Sequence, residues 1–152
     1  MNRTTHTKIV PIIYPAILQS GADFVGANGD TTPVNVDTSG YDHCTIYVFL
    51  GVCAADIAEG PDVYSFATSM TTDTGTLVTG SAMTEPTTTT DVGFHAIDIP
   101  LGGDVGRYLT LGLKAGAGNS YACAFAILSK KGGQQDNNIT SRGLTALAQA
   151  IN

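Results

Sequence analysis

The residues of this chain that could do chemistry are few and scattered. Asp73-Thr74-Gly75 has the form of an aspartic-protease triplet. That chemistry needs two aspartates facing each other, so one triplet per chain would require a symmetric dimer. Here the triplet sits in a Thr-rich stretch with no bulky apolar flank before it, and a polar turn is the simpler reading. His6, His43 and His95, with Cys44, Cys53 and Cys123, could in principle supply metal ligands. No C-x-x-C, H-x-x-x-H or H-E-x-x-H spacing joins them. Gly102-Gly103-Asp104-Val105-Gly106 has the composition of a phosphate loop, but such loops open a helix whose N-terminus holds the anion. This one opens a strand, as a tight turn does. No G-x-S-x-G elbow is present. Asn2-Arg3-Thr4 and Asn138-Ile139-Thr140 match the glycosylation pattern, which carries weight only in a secreted chain. The residues predict no catalytic site, no metal site and no cofactor.

The elements that would position any site read as β-strands. From Gly106 to Lys130 the chain is at its most apolar. Leu109, Leu111 and Leu113 alternate with Tyr108, Thr110 and Gly112, and Tyr121, Cys123, Phe125 and Ile127 alternate with Ala122, Ala124, Ala126 and Leu128. This period of two, broken by A-G-A-G-N-S, predicts a β-hairpin at the centre of the core. Further strands are predicted at Val34–Val36, His43–Leu50, Val63–Ser69, Thr76–Val78 and Gly93–Ile99, with 51–61 as a loop. Cys44, Ile46, Val48 and Leu50 share one face of their strand; His43, Thr45, Tyr47 and Phe49 share the other. The expected core is Ile46, Val48, Leu50, Ile97, Ile99, Leu109, Leu111, Leu113, Phe125 and Ile127. Arg107 follows a glycine turn and is expected to pair with Asp98 or Asp104.

Composition narrows the function classes. The chain has 152 residues, 43% apolar and 13% charged, about half the usual charged share. A β-sandwich of about 100 residues plus terminal extensions fits that length. A low charged fraction suggests that part of the surface meets another subunit. Net charge is −6 with seven Lys and Arg, so the clustered cations that nucleic acid requires are missing. No apolar run approaches the length of a membrane span. Pro11 and Pro15 interrupt Ile9–Leu18, which argues against a signal peptide. Three cysteines cannot all pair within one chain, and reduced thiols are the default, with a Cys44–Cys123 bridge left open.

The expected organisation is an all-β antiparallel sandwich, jelly-roll-like, over residues 22–132. An extended N-terminal arm (1–21) precedes it. A polar linker and short C-terminal helix (133–152) follow, with Leu144, Leu147, Ala148 and Ile151 at helical spacing. In the arm, Ile9, Ile12, Ile13, Tyr14, Ile17 and Leu18 are apolar, while Pro11 and Pro15 oppose a helix or central strand. Arm and helix both need a surface to dock on.

Three stretches carry a family likeness. They are V-N-V-D-T-S-G-Y-D (34–42) leading into T-I-Y-V-F-L-G (45–51), then I-D-I-P-L-G-G-D-V-G-R-Y-L-T-L (97–111), then Y-A-C-A-F-A-I-L (121–128). Together, over roughly residues 34–132, the chain resembles small tailed-bacteriophage virion proteins of the head decoration, or cement, type. The resemblance implies a non-enzymatic protein, made in the host cytoplasm and placed on the outer capsid surface of the virion. It would bind the major capsid protein, often as a homotrimer, without nucleic acid or membrane. The acidic balance suits the outside of a capsid better than its DNA-facing inside. The alternatives are another virion component (neck, tail or receptor-binding) and a stand-alone ligand- or carbohydrate-binding sandwich.

The expected contact residues are Ile9, Ile12, Ile13, Tyr14, Ile17 and Leu18 of the arm and Leu144, Leu147 and Ile151 of the helix. Ala122, Ala124 and Ala126 are expected on a small-residue face turned away from the core, covered by the helix or a neighbouring subunit. Tyr47 and Phe49 would anchor that contact.

Overall fold

The computed structural model describes residues 7–18, 33–68, 75–87 and 92–130, and the backbone of 146–149. The strands are β1 (Thr7–Leu18), β2 (Val36–Asp37), β3 (His43–Cys53), β4 (Ile57–Phe66), β5 (Thr76–Leu77), β6 (Gly93–Pro100), β7 (Tyr108–Ala115), β8 (Ser120–Ser129) and β9 (Ala146–Gln149). They form a five-stranded sheet in the order β1-β8-β3-β6-β9 and a four-stranded sheet in the order β2-β7-β4-β5. The first eight strands pair as a nest: β1 with β8, β2 with β7, β3 with β6, β4 with β5. Successive pairs of this ribbon alternate between the two sheets, which is the jelly-roll form of the sandwich. All these pairings are antiparallel; β9 joins β6 in parallel.

The core lies between the sheets. From the four-stranded side come Val36, Val63, Leu109, Leu111 and Leu113, all with no exposure. From the five-stranded side come Cys44, Ile46, Val48, Ile97, Ile99 and Leu128, also fully buried. Burying each of these aliphatic side chains contributes about 1.5–3 kcal/mol.

Several sequence expectations are corrected here. β7 and β8 are not a hairpin; they lie in different sheets, and residues 116–119 carry the chain across the end of the sandwich. β8 is turned the other way from the expectation. Ala122, Ala124 and Ala126 face the core at 4%, 2% and 0% exposure, while Phe125 and Ile127 face outward. The reason is volume. The leucines of β7 fill the space between the sheets, and a small-residue face on β8 accommodates them.

Residues 7–18 are not an arm but an edge strand running along β8. Its prolines are tolerated because an edge strand has one side without ladder partners, and the register shifts between Pro11 and Ala16 absorb them. Ile12, Ile13 and Leu18 sit in the core. The described part of the predicted C-terminal helix, residues 146–149, is strand. Leu144 and Ile151 lie outside the described residues, and Leu147 falls within β9. Residues 51–61 are mostly strand, the end of β3 and the start of β4. Cys44, Cys53 and Cys123 are all free thiols. Cys44 faces the core and Cys123 the opposite side of its sheet, so no bridge joins them.

Candidate interaction surface

Alternation and register together lay out the outer face of the five-stranded sheet as a grid. One row runs Ile17, Tyr121, Gly51. The next runs Tyr14, Cys123, Phe49, Phe94, and the third Pro11, Phe125, Tyr47, Ala96. The fourth is Ile9, Ile127, Thr45, Asp98. Tyr14 stands at the bulge between Ile13 and Ala16. Asp98 is the one ionisable carboxylate in the grid, and it is buried, as is Thr45 beside it. The exposed part is apolar: Ile9, Tyr14, Ile17, Phe49 and Tyr121, with Val52 at the end of β3.

The aromatic rings are ordered against one another. Tyr47 stacks on Phe94 at 5.1 Å between centroids and on Phe125 at 5.3 Å, and Phe49 lies 6.4 Å from Phe94. These cross-strand contacts fix the rings in a rigid ladder over β8, β3 and β6. Gly51 leaves room for Tyr121, whose Cβ would lie 3.2 Å from a Cβ at position 51.

The outer face of the four-stranded sheet is built differently. Arg107 donates to both carboxylate oxygens of Asp37, at 2.9 and 2.7 Å, and its guanidinium lies 5.1 Å from the Tyr108 ring centroid. The partner is Asp37 and not Asp98 or Asp104, because β2 pairs with β7 and sets Asp37 opposite Tyr108. The Arg107 hydrogen bonds, helped by the Ser39 N–H, hold the Asp37 carboxyl well below the usual carboxylate range. Thr110 donates to Asn35 at 3.0 Å, Tyr64 donates to Asp62 at 3.2 Å, and Lys114 lies 3.6 Å from Glu59. Asp62 and Tyr64 fold over Gly112, and any side chain there would collide with both. Burial pushes the Asp62 carboxyl up to about 6, with Glu59 and Glu85 adding to the shift and the Tyr64 hydrogen bond opposing it.

The candidate chemical groups do not converge. Among the described residues no group of three or more His, Cys, Asp or Glu is placed to hold a metal ion. His95 is buried, and His43 stands at the start of β3. Cys44 is a buried core side chain, and burial pushes its thiol up to about 12, with Asp98 adding to it. His6, Asp73 and Thr74 lie outside the described residues. Gly102–Gly106 is a turn closed by Val105 N–H to the Gly102 carbonyl at 3.2 Å. A cavity of about 220 Å³ beside β5, lined in part by Leu77, Asp104 and Val105, is smaller than the usual small-molecule site.

Of the predicted contact residues, Ile9, Tyr14, Ile17, Tyr47 and Phe49 come together on the outer face of the five-stranded sheet. Ile12, Ile13, Leu18, Ala122, Ala124 and Ala126 go to the core. Sequence reasoning missed Phe94, Tyr121, Phe125 and Ile127 as members of this face. The available signal was that a strand pairing alanines with aromatics places one set in the core, and opposite leucines the smaller set fits. Comparison of the chain with family models, with curated proteins and with solved structures finds no match in any of the three.

Proposed function

We propose that this chain is a non-enzymatic structural protein of a tailed-phage virion. It binds the assembled capsid from outside, through the major capsid protein, and works as a decoration or cement protein in oligomeric form, a homotrimer being the leading case. The observation that supports this reading best is the outer face of the five-stranded sheet. Its exposed large side chains are apolar and aromatic on a small jelly roll, and such patches mark contact with other proteins. The resemblance of residues 34–132 to decoration proteins supplies the setting.

Exposed aromatics also favour a carbohydrate-binding reading, since rings such as Tyr121 and Phe49 form stacking platforms. Sugar sites add polar groups beside the ring to hold the hydroxyls. Among the described residues the exposed part of this face offers the Tyr14 and Tyr121 hydroxyls and no exposed carboxylate or amide, which weighs against sugar.

The test is quantitative mass spectrometry of purified virions that carry this chain. A copy number comparable to that of the major capsid protein is expected. A few copies per particle would move the protein to the neck or tail, and absence from particles would overturn the proposal.

A further inference from the structure

We infer that the outer face of the five-stranded sheet is closed, in the working protein, by the same face of a second copy of this chain. The inference takes its setting from the proposed role but is argued from the surface itself, and it makes a two-fold pair the unit of this contact, so that a trimer would form through a different surface. Tyr14, Phe49 and Tyr121 are 54%, 49% and 51% exposed, and Ile9 and Ile17 are 66% and 44% exposed on the same face. Water covering so much ordered apolar surface is released when the face is closed.

Charge selects the occupant. The chain carries −6, so two copies repel unless they meet where carboxylates are absent or buried. Asp37, Glu59 and Asp62 all belong to the other sheet, on its outer side. Stacked sheets lie about 10 Å apart, which keeps those charges beyond a Debye length of about 8 Å from a contact made through the five-stranded face. A strongly acidic or basic partner would find no counter-charge here. The partner surface must itself be apolar and uncharged, and this face is its own complement under two-fold symmetry.

Size sets the strength. Four strands spaced about 4.8 Å apart and about seven residues long, at about 3.3 Å each, give on the order of 400 Å² per copy. A pair then buries on the order of 800 Å², below the roughly 1,200–2,000 Å² of standard interfaces and the size of a weak, transient contact. The contact is therefore concentration-dependent in isolation and reinforced where copies are held close together.

Cys123 supplies a built-in reporter. It lies in the row between Tyr14 and Phe49 and is partly exposed, whereas Cys44 and Cys53 are buried. The experiment follows sedimentation of the full chain from micromolar to millimolar concentration, together with the rate of Cys123 alkylation by iodoacetamide. The expected result is a rise in mass with concentration and a several-fold slowing of alkylation over the same range. Tyr121→Glu is expected to stay monomeric with an unchanged melting temperature. Leu77→Glu, which removes an exposed apolar group from the other sheet, is expected to associate like the unaltered chain. A monomer at every concentration, or association with no change in Cys123 reactivity, would overturn the inference. So would a Tyr121→Glu chain that associates normally. If Tyr121→Glu lowers the melting temperature, the Cys123 rate in the unaltered chain decides. None of these readings involves particles, so the inference and the virion assignment stand or fall separately.

Discussion

On β8 the residues pointing away from the core are Tyr121, Cys123, Phe125 and Ile127. On β7, the preceding strand, they are Tyr108, Thr110, Gly112 and Lys114. Both strands send small or aliphatic groups inward, so the core does not distinguish them. The difference lies in how each outer face is satisfied. The four-stranded sheet pairs its polar groups within the chain, as Arg107 with Asp37 and Thr110 with Asn35. The five-stranded sheet orders its rings against one another and leaves Tyr14, Phe49 and Tyr121 about half exposed. Polar pairs complete a surface toward water. An aromatic ladder leaves apolar surface at the outside of the sheet.

The largest test of this contrast reverses β8. Ala124→Glu places a carboxylate against the leucines of β7, and an unpaired buried charge costs several kcal/mol or more. Circular dichroism of this variant is expected to show an unfolded chain, while Tyr121→Glu, on the opposite face of the same strand, stays folded. A folded Ala124→Glu chain would mean that the strand faces the other way. Next in size is Leu111→Ala, expected to lose about 2–5 kcal/mol in denaturant titration because it opens a cavity between the sheets. A near-neutral result would remove the core from where the two inner faces meet.

Asp62 gives a smaller effect with a defined sign. Its folded-state value, about 6, lies above the ordinary 3.8, so the folded chain holds this proton more tightly than the unfolded one. Stability contributed by Asp62 therefore falls as pH rises from about 3.8 to about 6 and stays lowered above that. Asp62→Asn is expected to be more stable than the unaltered chain at pH 7, with the advantage gone below pH 4. Thermal melts across that range check it, and equal melting temperatures at pH 7 would mean that Asp62 is not held in a desolvated site. The smallest effect belongs to Asp37→Asn. Asp37 is depressed by Arg107, so its contribution is present above about 3.8 and is lost as pH falls below it. Exposed pairs contribute little, and the variant is expected to melt only slightly earlier at neutral pH and to match the unaltered chain in acid. A large loss would show that the polar face carries more of the fold than its exposure implies.

How much of this was legible in the sequence depends on how local the signal is. Alternation at His43–Leu50, Gly93–Ile99 and 108–128 located β3, β6, β7 and β8, and the turn-rich spacing gave the sandwich. What was not legible is long-range. The six-residue link A-G-A-G-N-S reads as a hairpin whether its strands pair or part, and only the competing partners, β4 for β7 and β3 for β8, separate them. The orientation of β8 depends on the size of what faces it, which the strand itself does not carry. Arg107 finds Asp37 across a pairing remote in sequence, so proximity along the chain pointed to the wrong acids. The segment around Leu147 shows apolar spacing that suits a helix as well as a strand, and pairing with β6 decides it. Of the outer face, Ile9, Tyr14 and Ile17 stood out as apolar groups of the N-terminal segment, and Tyr47 and Phe49 because both sides of β3 are bulky. Tyr121, Phe125 and Ile127 were hidden by the inverted reading of β8, and Phe94 by its place at the start of β6.

The nested pairing of strands also dictates a schedule. A ribosome delivers β1 first and its partner β8 seven strands later. β2 waits for β7 and β3 for β6. Of the early pairings only β4 with β5 is near in sequence, and it joins just Tyr64 to Leu77 and Ser65 to Thr76. Among the described strands each sheet closes only when late strands arrive to fill it. Pairing this non-local is expected to fold slowly and late, after most of the polypeptide has emerged. A nonsense mutation between Pro100 and Arg107 would thus release six strands with neither sheet completed. The product would be expected to aggregate rather than persist as a smaller domain.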